Sequence, residues 1–204
     1  MNQPAVQAVV FDLGNVFVEW SRERLYEPLI PDPDERRRFL DNVLTADVNM
    51  RLDAGETFEH VLGELAAKHP DQRDLVLAFE SDWERSLGLV DEQMVELLAE
   101  LRGRLPVLAL TNWSAQTFPV ALSRFEWLGW FDAHVVSGRE RVTKPDPSIY
   151  RILCERHRVR PGHVWFTDDS HANVEAARSQ GWRAELFVDA ATARVHLSDL
   201  GVLG

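Results

Sequence analysis

The chain has 204 residues, which is long enough for one compact domain with a modest insertion and too short for two large independent domains. Hydrophobic residues make up 45% of the sequence and charged residues 27%, and these fractions exclude a disordered or fibrous chain. The formal net charge of -11 argues against nucleic acid as a partner, and the single cysteine, Cys154, excludes an internal disulfide.

The sequence also leads to expectations about the cellular location of the protein. No apolar run approaches the roughly 18 residues that a membrane span requires, and residues 1–4 lack the charged and apolar regions of a signal peptide. We therefore expect no membrane association and a cytoplasmic location. The one basic run, at 36–38, follows two acidic residues and is expected to form a solvated helix face. Monomer and dimer both remain open.

A short Val-rich segment at 6–11, between Pro4 and Gly14, predicts a buried strand of the parallel type. Similar segments predict strands at 106–110, 134–137, 163–166 and 184–188. Helical periodicity fills the intervals at 91–102, 115–126, 147–158 and 172–180. This alternation predicts an α/β fold with a parallel sheet and right-handed crossovers.

The stretch from about 20 to 89 interrupts the alternation. It contains no convincing strand, and its periodicity predicts helices at 33–44, 57–68 and 72–87. Chain breakers fit this division, with Pro31 near its start and Gly88 at its end. We therefore predict a helical insertion after the first strand.

Polar clusters lie at the ends of the predicted strands. The first strand ends in Phe-Asp-Leu-Gly-Asn-Val (11–16), the second in Leu-Thr-Asn-Trp (110–113) and the fourth in Phe-Thr-Asp-Asp-Ser (166–170), while Thr-Lys-Pro-Asp-Pro (143–147) precedes a helix. Active sites of open parallel sheets lie outside the carboxyl ends of the strands, so we expect these clusters to meet there.

These four clusters, in this order and with a helical insertion after the first, resemble the four motifs of the haloacid dehalogenase superfamily. The resemblance covers essentially the whole chain, and the segment 11–16 is similar to that of bacterial glucose-1-phosphate phosphatases. It implies a Rossmann-like parallel sheet with a small helical cap domain inserted after the first strand. The core would comprise residues 1–18 and 90–204, and the cap residues 19–89.

The resemblance implies a hydrolase that acts on a small phosphorylated molecule, most plausibly a phosphate monoester. Asp12 would be the covalent nucleophile, which splits hydrolysis into two easier steps. Thr111 and Asn112 would hold the transferred group in line for attack, and Lys144 would offset the developing negative charge. No nucleotide cofactor is implied.

The fourth motif indicates a metal ion, because Asp168 and Asp169 would add two carboxylates beside Asp12, and like charges gathered so closely require a cation. By resemblance this cation is Mg²⁺, bound by an oxygen of Asp12, the backbone carbonyl of Gly14 and a carboxylate of Asp168. Asp169 would be a flanking ligand or an outer-shell group, like Asn173, and helix capping is the alternative for it. The acidic pair favours phosphoryl transfer over metal-free dehalogenation of a 2-haloacid, which is the alternative enzyme.

The first motif departs from the Asp-x-Asp pattern of most phosphatases in the superfamily. The second Asp of that pattern is a general acid and base worth roughly 10² to 10⁴ in rate, and Gly14 stands in its place. Three interpretations remain open. The leaving group has a low pKa, as in a sugar 1-phosphate, or the insertion supplies the acid, with Glu19 and His60 as candidates. Alternatively, the protein is a degenerate, non-enzymatic module that binds an anion or a partner.

Two tryptophans adjoin the motifs. Trp20 follows the first motif and Trp113 the second, so both are predicted as walls of the substrate pocket. Core packing is the alternative for either of them.

Overall fold

The computed structural model describes residues 5–204, and a parallel sheet lies at its centre. The strands in this part of the chain are β1 (Ala8–Phe11), β2 (Val18–Trp20), β3 (Leu87–Val90), β4 (Val107–Thr111), β5 (Ala133–Val136), β6 (Val164–Asp168) and β7 (Arg183–Leu186). Five of them form the parallel sheet in the order β5–β4–β1–β6–β7. The predicted α/β fold is therefore confirmed, and all five predicted strands are present.

Strand β1 occupies the middle of this sheet and is buried on both faces. Val9 and Phe11 pack into one hydrophobic core, whereas Ala8 and Val10 pack into a second core on the opposite face. Successive side chains of a strand point to opposite faces, so a strand covered on both sides reads as a continuous apolar run. Asp12, the next residue, therefore leaves the sheet at its centre.

The helices of the described residues fall into two groups. Five lie between β2 and β3: α1 (Arg22–Tyr26), α2 (Pro33–Asn42), α3 (Ala46–Asp53), α4 (Phe58–Lys68) and α5 (Arg73–Ser81). Six follow β3: α6 (Glu92–Leu101), α7 (Phe118–Arg124), α8 (Ser137–Glu140), α9 (Pro147–His157), α10 (His171–Ser179) and α11 (Ala190–Asp199). Within residues 5–204, no helix combines the length and apolarity needed to cross a membrane.

The insertion contains two strands that the sequence analysis did not predict. β2 and β3 pair antiparallel, with Val18 opposite Val90 and Trp20 opposite Leu87. The helix predicted at 72–87 ends at Ser81 instead, a short 3₁₀ helix follows at Trp83–Ser86, and Leu87 begins β3. The division into a core and a cap at residues 19–89 stays a prediction, and residues 1–4 of that core lie outside the described residues.

The basic run at 36–38 is not wholly solvated, contrary to expectation. Arg37 and Arg38 are exposed, but Arg36 is buried and donates a hydrogen bond to the carbonyl of Ile30 (2.8 Å). Its guanidinium also lies 3.2 Å from a carboxylate oxygen of Glu23. The prediction was wrong for Arg36 because this side chain satisfies a carbonyl in the loop that precedes α2.

The inserted helices contact the core where α3 ends. The hydroxyl of Ser137 donates a hydrogen bond to the carbonyl of Asp53 (2.6 Å). Gly55 adopts φ +95°, and a Cβ there would lie 2.7 Å from the carbonyl oxygen of Gly138. Two glycines thus allow the backbone of the insertion to touch the backbone that follows β5.

Gly138→Ala is expected to destabilise the fold. A Cβ at this position would lie 2.4 Å from the backbone nitrogen of Ala115 and 2.8 Å from the carbonyl oxygen of Trp113, so backbone must shift. We expect the free energy of unfolding, measured in urea, to fall by about 1–3 kcal/mol. Gly63→Ala is the control, because Gly63 is exposed in α4 and an added Cβ meets no neighbour within 4 Å. An unchanged Gly138→Ala variant would contradict this packing.

Candidate active site

The strand order brings three of the predicted motifs to one place. β4, β1 and β6 are neighbours, so their carboxyl ends lie side by side. Asp12 follows β1, Thr111 ends β4 and Asp168 ends β6. The backbone N–H of Asp12 donates to the carbonyl of Thr167 (3.0 Å), which extends the pairing of β1 with β6 to Asp12 itself.

Lys144 adds the remaining motif. Its Nζ lies 2.8 Å from Oδ1 of Asp12 and 2.6 Å from Oδ2 of Asp168, and it donates to the carbonyl of Leu110 (2.9 Å). The side chains of Lys144 and Asp168 are 1% and 0% exposed. An ammonium group has three N–H donors, and these three contacts use all of them. The charge of Lys144 is therefore fixed between the two carboxylates.

The side chain of Asn112 holds Lys144 in place. Its amide group donates to the carbonyl of Lys144 (2.9 Å), and its amide oxygen accepts from the backbone N–H of the same residue (2.8 Å). Asn112 was predicted to hold the transferred group directly. Both ends of its amide contact the backbone of the lysine, and Asn112 and Thr111 both line the adjoining cavity, so their contact with a transferred group stays a prediction.

Burial and mutual charge govern the ionisation of this cluster. Burial alone would lower the pKa of Lys144, but the charges of Asp12 and Asp168 outweigh it and raise the pKa above its ordinary value. Burial, opposed by the charge of Lys144 and assisted by that of Asp168, raises the pKa of Asp12 to about 7. The carboxylates thus carry more negative charge than one ammonium compensates, and a bound cation would relieve this imbalance.

Three carboxylates form a group that fits a cation. Ligand oxygens of Asp12, Asp168 and Asp169 all lie within 4.8 Å of one another. Burial and the neighbouring Asp168 raise the pKa of Asp169, whereas a hydrogen bond from Asn15 (3.3 Å) lowers it. An all-oxygen, carboxylate-rich set is the kind that Mg²⁺ prefers. Gly14, the fourth predicted ligand, lines the same cavity.

The carboxylate of Asp168 is oriented by the start of α10. The amide of Asn173 donates to both of its oxygens (2.9 and 3.1 Å), and the backbone N–H of Ser170 donates to Oδ1 (2.8 Å). Asn173 thus contacts a predicted metal ligand, and its outer-shell role stays a prediction. Such partners fix the direction of a ligand that binds a metal.

A cavity of about 370 Å³ adjoins Asp12. The core contributes the predicted residues Asp12, Gly14, Thr111, Asn112, Lys144 and Asp169 to its lining. The insertion contributes Asn49, Asp53 and Phe58. None of these three was predicted as a site residue. Asn49 and Asp53 lie on α3, which the sequence analysis did not predict, and Phe58 begins α4, a predicted helix whose position relative to the site the sequence does not reveal.

Aromatic side chains form part of the cavity wall. Trp20 and Trp113 both line it, as predicted, and Trp83 joins them. The rings of Trp83 and Trp113 lie 5.8 Å apart and tilted by 54°. Trp113 is also part of the hydrophobic core, and Trp20 packs against it, so the wall and the core share these side chains.

Glu19 and His60, the candidates for a replacement acid, do not line this cavity. Glu19 is half exposed and paired with Arg24 on the surface. His60 is 59% exposed on α4 and lies 3.6 Å from both Glu56 and Glu64. The structure therefore does not support either residue as the source of the proton.

Comparison with known proteins identifies a family that this sequence matches. Residues 6–181 match the profile of haloacid dehalogenase-like hydrolases. Human N-acylneuraminate-9-phosphatase is 31% identical over 99 residues, which are 48% of this chain and 40% of that enzyme. The match thus spans less than half of the length of this enzyme and of its rat and mouse counterparts.

Solved structures share the fold. A HAD family enzyme of Bacteroides thetaiotaomicron, solved as a magnesium complex, has a TM-score of 0.75 at 19% identity over 96% of this chain and 99% of that chain. The L-2-haloacid dehalogenase of Xanthobacter autotrophicus has a TM-score of 0.67 at 20% identity over 95% of this chain and 83% of that chain. Both likenesses concern the fold alone.

Asp12→Asn is expected to stabilise the metal-free chain at pH 8. Because burial raises the pKa of Asp12 to about 7, the folded chain holds this proton more tightly than the unfolded chain, and ionisation opposes folding as the pH rises towards 7. In EDTA, we expect the variant to be more stable by on the order of 1–2 kcal/mol at pH 8 and the difference to shrink towards pH 5.

Urea unfolding at both pH values measures this difference. Asp71→Asn is the matched control, since Asp71 is exposed and lies outside this cavity. A lower stability of Asp12→Asn than of the wild type at pH 8 would contradict the cost assigned to the buried charge.

Proposed function

Because this chain belongs to the haloacid dehalogenase-like hydrolase family, we propose that it is a magnesium-dependent phosphatase that hydrolyses small phosphate monoesters through a phosphorylated Asp12. One observation carries this proposal. Three carboxylates, of Asp12, Asp168 and Asp169, gather within 4.8 Å of one another beside a buried lysine. Dehalogenation without a metal has no evident use for such a group.

The first step transfers the phosphoryl group to Asp12. A carboxylate oxygen of Asp12 attacks phosphorus, the bond between phosphorus and the ester oxygen breaks, and that oxygen takes up a proton as the alcohol leaves. Lys144, held 2.8 Å from Asp12, keeps the nucleophile ionised and offsets charge that develops on the phosphoryl oxygens. The Thr111 hydroxyl would bind one of those oxygens.

The second step regenerates the enzyme. Water attacks phosphorus and gives up a proton, the bond between phosphorus and Asp12 breaks, and orthophosphate is released. Asn112 contributes to both steps by fixing the backbone of Lys144.

Mg²⁺ would be held by the carboxylates of Asp12 and Asp168 and the carbonyl of Gly14, with Asp169 as a flanking ligand. When bound, it supplies positive charge that offsets the phosphate oxygens and orients the substrate. The likeness to a family enzyme solved in complex with magnesium supports this choice of metal, as does the all-oxygen set of donors.

The cavity suits a small substrate. Its volume of about 370 Å³ lies near the lower end for small-molecule sites, and its lining combines tryptophan side chains with polar side chains such as Asn49 and Asn112. Sugar phosphates fit this description, and the relative N-acylneuraminate-9-phosphatase supports the class. In this proposal residues 19–89 act as the cap that closes over the substrate.

Phosphate release from sugar phosphates and p-nitrophenyl phosphate tests the function. We expect release with Mg²⁺, none in EDTA, and a loss of at least about 10³-fold in Asp12→Asn. The same samples are assayed for chloride release from 2-chloropropionate. Chloride release in EDTA would replace the phosphatase by a dehalogenase, and activity retained by Asp12→Asn would exclude the nucleophile assigned here.

Metal binding has its own test in the absence of substrate. Mg²⁺ is expected to raise the melting temperature of the wild type in a concentration-dependent way, because it binds the folded chain. Asp169→Asn should shift the midpoint of this effect to higher Mg²⁺, while the exposed-site control Asp71→Asn should leave it unchanged. Equal midpoints in all three proteins would show that Asp169 takes no part in the site.

A further inference from the structure

The proposed reaction lacks a proton donor in the first motif. An alkoxide is a poor leaving group, and a positioned acid accelerates its departure by about 10² to 10⁴. Gly14 has no side chain to do this, and Glu19 and His60 lie outside the cavity. If the chain hydrolyses alkyl phosphates, some other group must move this proton.

We propose that Asp53, at the end of helix α3 in the insertion, is the general acid and base of the reaction. This inference rests on the phosphatase function proposed above. Its carboxyl group would contact the ester oxygen of the substrate, opposite the nucleophile Asp12.

The lining of the cavity singles out this residue. Among the described residues that line it, the titratable ones are Asp12, Asp53, Lys144 and Asp169. Asp12 is the nucleophile, Lys144 is fixed by it, and Asp169 belongs to the carboxylate group that fits the cation. Asp53 alone of these four comes from the insertion, which in the proposed function is the cap that closes over the substrate.

Contacts to the core hold Asp53 in position. Ser137 donates to its carbonyl (2.6 Å), and the same hydroxyl accepts from the backbone N–H of Trp113 (2.9 Å), next to the second motif. Nearby, Gln116 accepts from the backbone N–H of Phe58 (2.8 Å). These contacts fix the position of Asp53 relative to the loop that carries the second motif, in addition to its position within α3.

The surroundings of the Asp53 carboxyl group suit proton transfer. The amide of Asn49 donates to Oδ2 (2.7 Å) and fixes its direction. Burial raises the pKa of Asp53 to about 7, with the hydrogen bond from Asn49 lowering it and the charge of Asp12 raising it. A group with this pKa is available in both protonation states near neutral pH, as a group that alternates between acid and base requires.

The proton balance closes over one turnover. Protonated Asp53 gives its proton to the ester oxygen as the bond from phosphorus to that oxygen breaks. The resulting carboxylate then takes a proton from the water that attacks phosphorus, while the bond from phosphorus to Asp12 breaks. Asp53 ends the cycle protonated, as it began.

The test compares Asp53→Asn with the wild type on two substrates at saturating Mg²⁺, with enzyme in excess so that one turnover is observed. An alkyl phosphate such as glycerol phosphate needs a proton on its leaving group, whereas the nitrophenolate of p-nitrophenyl phosphate does not. We expect alcohol release to fall by about 10² to 10⁴ and nitrophenol release to change by no more than a few fold. Asp47→Asn, exposed on the same helix, should match the wild type on both.

A second readout follows the loss of the base. With excess p-nitrophenyl phosphate, Asp53→Asn should give a burst of nitrophenol equal to the enzyme concentration, followed by a slow phase. The slow phase arises because the hydrolysis of phosphorylated Asp12 then lacks its base. Mass spectrometry of the acid-quenched chain should detect that phosphorylated form. Asp53→Glu, which retains a carboxyl group, should recover part of the alkyl phosphate activity.

Each alternative has a distinct result. Equal losses on both substrates would assign Asp53 a structural role and overturn the proposal, as would full activity of Asp53→Asn on the alkyl phosphate. If the wild type itself releases nothing from either substrate with Mg²⁺, the proposed phosphatase function fails, and the proposal for Asp53 fails with it.

Discussion

The site depends on one interaction, the pairing of the Lys144 ammonium group with the carboxylates of Asp12 and Asp168 on either side of it. Three charged groups are buried together, and removing the lysine would leave two buried carboxylates without this partner, which costs about 3–5 kcal/mol. The surrounding polar groups serve this cluster, since Asn112 binds the backbone of the lysine and Asn173 binds the carboxylate of Asp168. The sheet provides the rigidity, because its central strands bring all three motifs to one edge.

The excess of negative charge in this cluster also sets its chemistry. A nucleophilic carboxylate must be ionised, yet burial and its acidic neighbours oppose this. Lysine alone compensates part of the imbalance, and a divalent cation would compensate the rest. The site is therefore arranged at the expense of stability of the empty chain, as is common where function requires charges that the fold alone would not bury.

The sequence predicted the sheet well because β1, β4 and β6 are buried on both faces and read as apolar runs that end in polar motifs. It failed where contacts between elements decide the structure. The helix predicted at 72–87 was too long at its end, where Leu87 pairs with the distant strand β2, and Arg36 was predicted as solvated although it satisfies a carbonyl in the loop before its helix. Asp53 was missed for the same reason, since only the packing of α3 against the residues after β5 places it in the cavity.

The contact between Gly55 and Gly138 bears on how such an enzyme can be re-engineered. Residues 137–140, directly after β5, do not line the cavity, yet Gly138 lies against the turn that follows α3. A mutant library confined to residues that line the cavity would leave the distance between Gly55 and Gly138 unchanged. It would vary only the shape of the existing cavity. Diversifying residues 137–140 together with the turn around Gly55 would vary the depth of the cavity, and hence the length of the molecule that it admits.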